Sequence, residues 1–354
     1  MKQIIYVEDE IKDHPNTIRI LERYKNATII PCERYGEIFN RKAQSFRLQK
    51  QNPALILAKK HRNLILESPP EYGIGGQHNY YFSHMLNCIY DCRYCFLQGM
   101  YRSANYVVFV NYEDFSNAII NKTNSQPEQD SWFFSGYDGD SLAYEPVTQF
   151  LDHFIPLFKK LPQAWLELRT KSTQISALLN TEALTNCVVA FSFTPDNISR
   201  QLEQGVPSLK KRIDAMRRLS DHGWKLGLRF DPLIFSDDFR NDYQALFKTI
   251  FSQLPTEAFH SVSLGAMRLP KPFFNTMQKM FPEEKLFAGP FSDANSINMK
   301  SAKKTSTKNS LISYHPNIER DLLDFCTLEL LKYIPEEIFF PCSEISNETN
   351  YEAT

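Results

Sequence analysis

From residue 79 onward the chain alternates short apolar runs with longer amphipathic stretches. The strand candidates are Tyr80–Leu86, Ser131–Ser135, Trp165–Arg169, Val188–Phe193, Leu226–Phe230 and Ser261–Leu264. Between them Glu113–Ile120, Val147–Lys160, Ser172–Leu179, Ser208–His222 and Asp242–Leu254 repeat their apolar positions at helical spacing. Such alternation predicts a parallel sheet with helices packed on its outer face. Six units of this kind curl into a partial (β/α)6 TIM-like barrel, in which chemistry collects at the carboxyl ends of the strands.

The pattern also divides the chain. Residues 1–75 form an N-terminal extension with a strand-like start, Ile4 to Val7, and a helical stretch near Thr17–Lys25. The segment SPPEYGIGG, 68–76, carries the prolines and glycines of a linker. The barrel is expected over 76–290. Residues 291–354 then supply a polar loop and a helical cap, the helix running roughly from Asn317 to Tyr333. Within 292–313 the chain has Lys300, Lys303, Lys304 and Lys308, and no acidic residue after Asp293.

Composition narrows the function only slightly. The 354 residues are 42% hydrophobic and 23% charged with a net charge of −1, so no global field draws the protein to a polyanion. No stretch approaches the roughly 20 apolar residues of a membrane-spanning helix. The start, MKQIIYVEDE, turns acidic where a secretory signal would be apolar. The expectation is a cytoplasmic protein without a membrane partner.

Seven cysteines, three of them tightly spaced, make a poor disulfide framework. Cys187 and Cys326 lie in apolar patterns and read as small buried hydrophobes. The triplet Cys88-x3-Cys92-x2-Cys95 follows the first barrel strand. A [4Fe–4S] cube usually takes four thiolates, so three on one loop leave one iron open. The rival is a Cys3His zinc site completed by His84, in a non-catalytic binding protein. Structural zinc sites, however, usually join two ligand pairs a dozen or more residues apart.

The triplet resembles the cysteine motif of the radical S-adenosylmethionine (SAM) superfamily, including the aromatic Tyr94 before the third cysteine. Residues 1 to about 342 resemble the spore photoproduct lyase family, which reverses a thymine–thymine adduct in DNA. The similar stretches are CIYDCRYCFLQ around the cysteines, YVVFVNYED at 106–114 and EQGVPSLKKRI at 203–213. Arg268-Leu-Pro-Lys271-Pro272 and the last helix also fit.

The resemblance implies a radical SAM enzyme that uses a [4Fe–4S] cluster to cleave SAM reductively. It would need a one-electron reductant of the flavodoxin or ferredoxin kind. By the same resemblance Cys88, Cys92 and Cys95 hold the cluster and Tyr94 borders the cofactor. Asp140 stands beside the SAM amino group, Lys171 binds its carboxylate and Ser192 contacts the cofactor. Charge complementarity suits the first two of these pairings.

Two departures put the lyase reaction itself in doubt. The lyases return a hydrogen atom from a cysteine after the second strand, where this chain has Tyr137. Their relay uses a tyrosine after the third cluster cysteine, where this chain has Phe96, which has no transferable O–H. A serine expected beside Asp140 is Gly139. Tyr137 either donates a hydrogen atom itself or walls the pocket. The 292–313 segment has no arginine and no aromatic side chain for base flipping, though its lysines suit phosphates. The substrate is left open, with a nucleic-acid lesion as the alternative.

Overall fold

A computed structural model describes residues 2–69, 73–293 and 310–342. Among them is an eight-stranded sheet. Its order is Phe339–Pro341, Phe259–Ala266, Lys225–Leu233, Cys187–Ser192, Ala164–Thr170, Ser131–Ser135, His78–Phe82 and Leu66–Glu67. Every neighbouring pair is parallel except the last, which is antiparallel. Five of the six barrel strands expected from the sequence are present, and the sixth, Tyr80–Leu86, is present only in part. Phe339–Pro341 adds a seventh parallel strand, too short at three residues to stand out as a pattern.

The sheet is curled. Trp132 on Ser131–Ser135 and His260 on Phe259–Ala266 lie four strand spacings apart along the sheet, roughly 19 Å if it were flat. Their rings are nevertheless only 5.1 Å apart, and Trp165 stacks on Trp132 at 4.7 Å. These residues begin their strands, so they plug the amino end of a partial barrel. Packing there is tight enough that a Cβ on Gly76 would fall 2.0 Å from the Trp132 ring.

Two expected helices are shorter than their patterns. Val147–Lys160 splits into Glu145–Thr148 and Phe150–Lys159 around Gln149, whose φ of 46° is left-handed. The buried Glu145 carboxylate accepts bonds from the Phe150 and Leu151 amides and thereby starts the second helix. Of Ser172–Leu179 only Ser176–Leu179 is helical. Thr170 Oγ1 accepts from Ser172 N, and Ser172 Oγ from Gln174 N, which holds the first residues in turns instead.

A second sheet packs beside the barrel in the order Thr28–Cys32, Ile4–Glu8, Leu55–Ala58, Tyr106–Phe109 and Met85–Leu86. Strands from beyond residue 75 therefore complete the sheet begun by the N-terminal extension. The continuous run expected over Tyr80–Leu86 is broken: His78–Phe82 belongs to the barrel and Met85–Leu86 to the small sheet. Ser83 donates to Asp138 and the His84 ring stacks on Phe150 at 4.1 Å, so the chain turns there.

After the barrel, Arg268–Pro270, Leu311–Tyr314 and Phe291–Asp293 form a three-stranded antiparallel sheet. The helix Pro316–Leu330 follows. Lys300, Lys303, Lys304 and Lys308 of the lysine-bearing segment lie outside the described residues. No helix of the described residues is long and apolar enough to cross a membrane.

Candidate active site

The cysteine loop crosses the carboxyl ends of the barrel strands. Asp91 and Cys92 pair antiparallel with Gln204 and Glu203, which follow the strand Cys187–Ser192. Cys95 N donates to Cys92 O at 3.0 Å and Gln98 N to Cys95 O at 3.0 Å, turning the chain after each cysteine. Lys50, from the extension, donates to the carbonyls of Cys88 (2.8 Å) and Tyr90 (3.0 Å) and fixes the start of the loop. Gly99 lets the loop close on the helix Lys271–Met280, since a Cβ would lie 2.6 Å from Phe273 O.

All three thiols are pushed up by burial. The charges of Lys171 and Lys50 oppose that shift, Lys171 at Cys92 and both lysines at Cys95. Soft thiolates on a loop flanked by cations suit an iron–sulfur cluster. The zinc alternative fits less well, because the His84 ring is buried and stacked on Phe150 at 4.1 Å. Among the described residues, no three Cys, His, Asp or Glu side chains gather closely enough to share one ion. A mononuclear site requires that convergence. A cube, whose thiolates take separate irons, does not.

Glu203 is the hub of this region. It is buried and accepts from Tyr94 OH, Thr194 Oγ1 (3.1 Å), Ser199 Oγ (2.6 Å) and Arg212 Nη2 (3.1 Å). Lys171 Nζ lies 3.4 Å from its Oε1 and 5.4 Å from the Tyr94 ring centre. Burial alone would raise the Glu203 carboxyl, yet Lys171 and Arg212 hold it at about 2. Burial would likewise depress Lys171, and Glu203 keeps its ammonium above the ordinary value. Arg212 also donates to Ser192 O at 2.7 Å, which brings the end of that strand into the network. Tyr94 and Lys171, two of the residues singled out in the sequence, thus converge on a carboxylate that the sequence pattern did not mark, while Ser192 joins only through its backbone carbonyl on Arg212.

Asp140 occupies the loop after Ser131–Ser135. Its Oδ1 accepts from Leu142 N (3.0 Å), Ala143 N (2.8 Å) and Thr170 Oγ1 (2.6 Å), and its Oδ2 from Lys171 N (2.7 Å). Burial raises this carboxyl and the four bonds counter part of the shift. Asp140 therefore ties two strand ends together while Oδ2 keeps acceptor capacity. Beside it, Gly139 sits close to the cysteine loop. A Cβ there would be 3.1 Å from Asn87 O and 3.2 Å from Met85 Cγ, tight for the serine expected at this position.

Tyr137, 37% exposed, stacks on Tyr81 with ring centroids 4.2 Å apart and lies 5.7 Å from Phe96. Next to it Asp138 accepts from Ser83 Oγ (2.7 Å) and Tyr101 OH (3.1 Å). Tyr137 and Phe96 stand out from the sequence, whereas Tyr81, which comes from the preceding barrel strand, does not.

The family model described as spore photoproduct lyase matches residues 1–292. The spore photoproduct lyase of Bacillus subtilis (strain 168) is 22% identical over 293 residues, covering 80% of this chain and 83% of that one. That of Geobacillus sp. (strain Y412MC61) is 23% identical over 202 residues, 56% of this chain and 59% of that one. A solved spore photoproduct lyase double mutant with bound AdoMet and dinucleoside spore photoproduct superimposes with a TM-score of 0.82 at 17% identity. A lyase complexed with dinucleoside spore photoproduct gives 0.79 at 18%. Each solved chain covers 97% of this chain, which covers 98% of it. At such identity the likeness to these structures is one of fold.

Proposed function

Because the chain belongs to the spore photoproduct lyase family, whose members are radical SAM enzymes, we propose that it cleaves SAM reductively at a [4Fe–4S] cluster on Cys88, Cys92 and Cys95. The observation that carries this reading is the Cys92–Glu203 strand pairing, which seats the cysteine loop beside the Lys171 ammonium at the barrel mouth. When bound, the cluster and SAM supply a 5′-deoxyadenosyl radical and begin chemistry on the substrate.

The chain's own residues hold and orient these groups. Three thiolates leave one iron for SAM. Lys171 offers the cation for its carboxylate, and Oδ2 of Asp140 the acceptor for its ammonium. Tyr94 and Ser192 border the same space through the Glu203–Arg212 network. A one-electron reductant, flavodoxin- or ferredoxin-like, completes the reaction. By the family resemblance Tyr137 takes the position of the lyases' donor thiol, and a neutral phenol can return a hydrogen atom.

For the substrate we infer a planar, nucleobase-like group. Solved relatives bind dinucleoside spore photoproduct, and the Tyr81–Tyr137–Phe96 wall suits stacking on such a ring. The test is isotopic: candidate nucleic acids deuterated in their bases are turned over with unlabelled SAM. The candidate that passes deuterium into 5′-deoxyadenosine is the substrate. Release of unlabelled 5′-deoxyadenosine with every deuterated candidate would reject a nucleobase.

A further inference from the structure

Hydrogen donation leaves a phenoxyl radical on Tyr137, and the neighbouring rings decide where that radical goes. Phe96, 5.7 Å away, has no O–H and cannot take it. Tyr81 can: it stacks on Tyr137 with centroids 4.2 Å apart and an interplanar angle of 26°. Tyr81 belongs to the strand His78–Phe82, so its backbone is fixed by the barrel rather than by the cysteine loop. Burial and the charge of the nearby Asp138 carboxylate, itself buried and accepting the hydroxyls of Ser83 and Tyr101, push the Tyr81 phenol up, so it keeps its O–H.

We propose that Tyr81 is the hydrogen-atom partner of Tyr137, so that the radical leaves the pocket along the barrel strand instead of through the cysteine loop. This rests on the reading that Tyr137 is the hydrogen donor. In the step, the Tyr81 O–H bond breaks and an O–H bond forms on Tyr137. The phenoxyl radical moves to Tyr81, no net electron is consumed and Tyr137 is restored for another donation.

The experiment uses the reconstituted holoenzyme with SAM and dithionite alone, so that Tyr137 supplies the hydrogen of 5′-deoxyadenosine. 3-Aminotyrosine, which oxidises more readily than tyrosine and traps a passing radical, is placed at position 81 or at 137. Freeze-quenched samples are read by electron paramagnetic resonance, with 5′-deoxyadenosine measured in parallel. The proposal expects an aminotyrosyl signal from position 137. It also expects one from position 81 that is lost in Tyr137→Phe, a change that keeps the ring stack. A signal at 81 that survives Tyr137→Phe, or none at 81 while 137 is oxidised, overturns the relay alone. Release of 5′-deoxyadenosine without a signal at either position overturns Tyr137 as donor and the relay with it. No 5′-deoxyadenosine from the parent rejects the SAM-cleaving function itself.

Discussion

Lys171 Nζ sits 3.4 Å from Glu203 Oε1, which couples the end of the Ala164–Thr170 strand to the segment paired with Cys92. One cation thus serves a buried carboxylate and, in the proposed function, the carboxylate of SAM. Lys171→Ala should weaken SAM binding while iron content stays unchanged, because it removes a charge partner and not a ligand. A lost charge-assisted hydrogen bond is worth about 1.5–3 kcal/mol, or about 10- to 150-fold in affinity. Calorimetry showing parental affinity would remove Lys171 from the pocket.

Asp140 has a heavier structural duty than Lys171. Asp140→Ala leaves the Leu142, Ala143 and Lys171 amides and the Thr170 hydroxyl without their acceptor. The expected result is a loss of about 1–3 kcal/mol in folding stability together with weaker SAM binding. Denaturant titration and calorimetry on the same variant separate the two effects. Lost stability with intact SAM affinity would make Asp140 purely a loop clamp.

Inside the barrel, Glu167 bonds Arg229 (Nη2 to Oε2, 2.8 Å) and Arg169 (Nε to Oε1, 2.9 Å). Burial pushes its carboxyl up, but the two guanidiniums win and hold it at about 2. Its folded value is depressed, so its contribution is complete above the unfolded value of 4.5 and is lost as pH falls toward 2. Glu167→Gln should cost about 3–5 kcal/mol at neutral pH, since Arg229 is then buried without its charge partner. The variant's stability should also vary less with pH between 4.5 and 2. Unfolding midpoints across that range check both outcomes.

Tyr137 and Phe96 together argue against the lyases' own hydrogen route. Given dinucleoside spore photoproduct, any thymine formed should come by way of Tyr137, so that Tyr137→Phe, which removes only the transferable hydrogen, leaves SAM cleavage uncoupled with little or no thymine. Product analysis of parent and variant under reducing conditions reads this directly. Thymine at the parental rate from Tyr137→Phe would contradict it.

Much of this architecture can be read from local pattern. The inner barrel strands are apolar runs buried on both faces, and Cys88-x3-Cys92-x2-Cys95 encodes its loop within eight residues. The small sheet is harder to see because Leu55–Ala58 and Met85–Leu86 are too short to show a period. Glu203 and Tyr81 are harder still. Glu203 reaches Tyr94 across 109 positions, and Tyr81 reaches Tyr137 from another strand. Such pairs come from strand pairing between distant parts of the chain, which no local spacing records. Gln149 shows the opposite case, a helical period interrupted by one left-handed residue.

The most direct test of the whole account is metal and product analysis of anaerobically reconstituted protein. The parent should hold about four irons per chain and release 5′-deoxyadenosine from SAM under reduction. Cys88→Ala, Cys92→Ala and Cys95→Ala should each abolish that release, whereas Cys187→Ala and Cys326→Ala should retain the cluster. Stoichiometric zinc with no iron–sulfur absorbance in the parent would contradict the account.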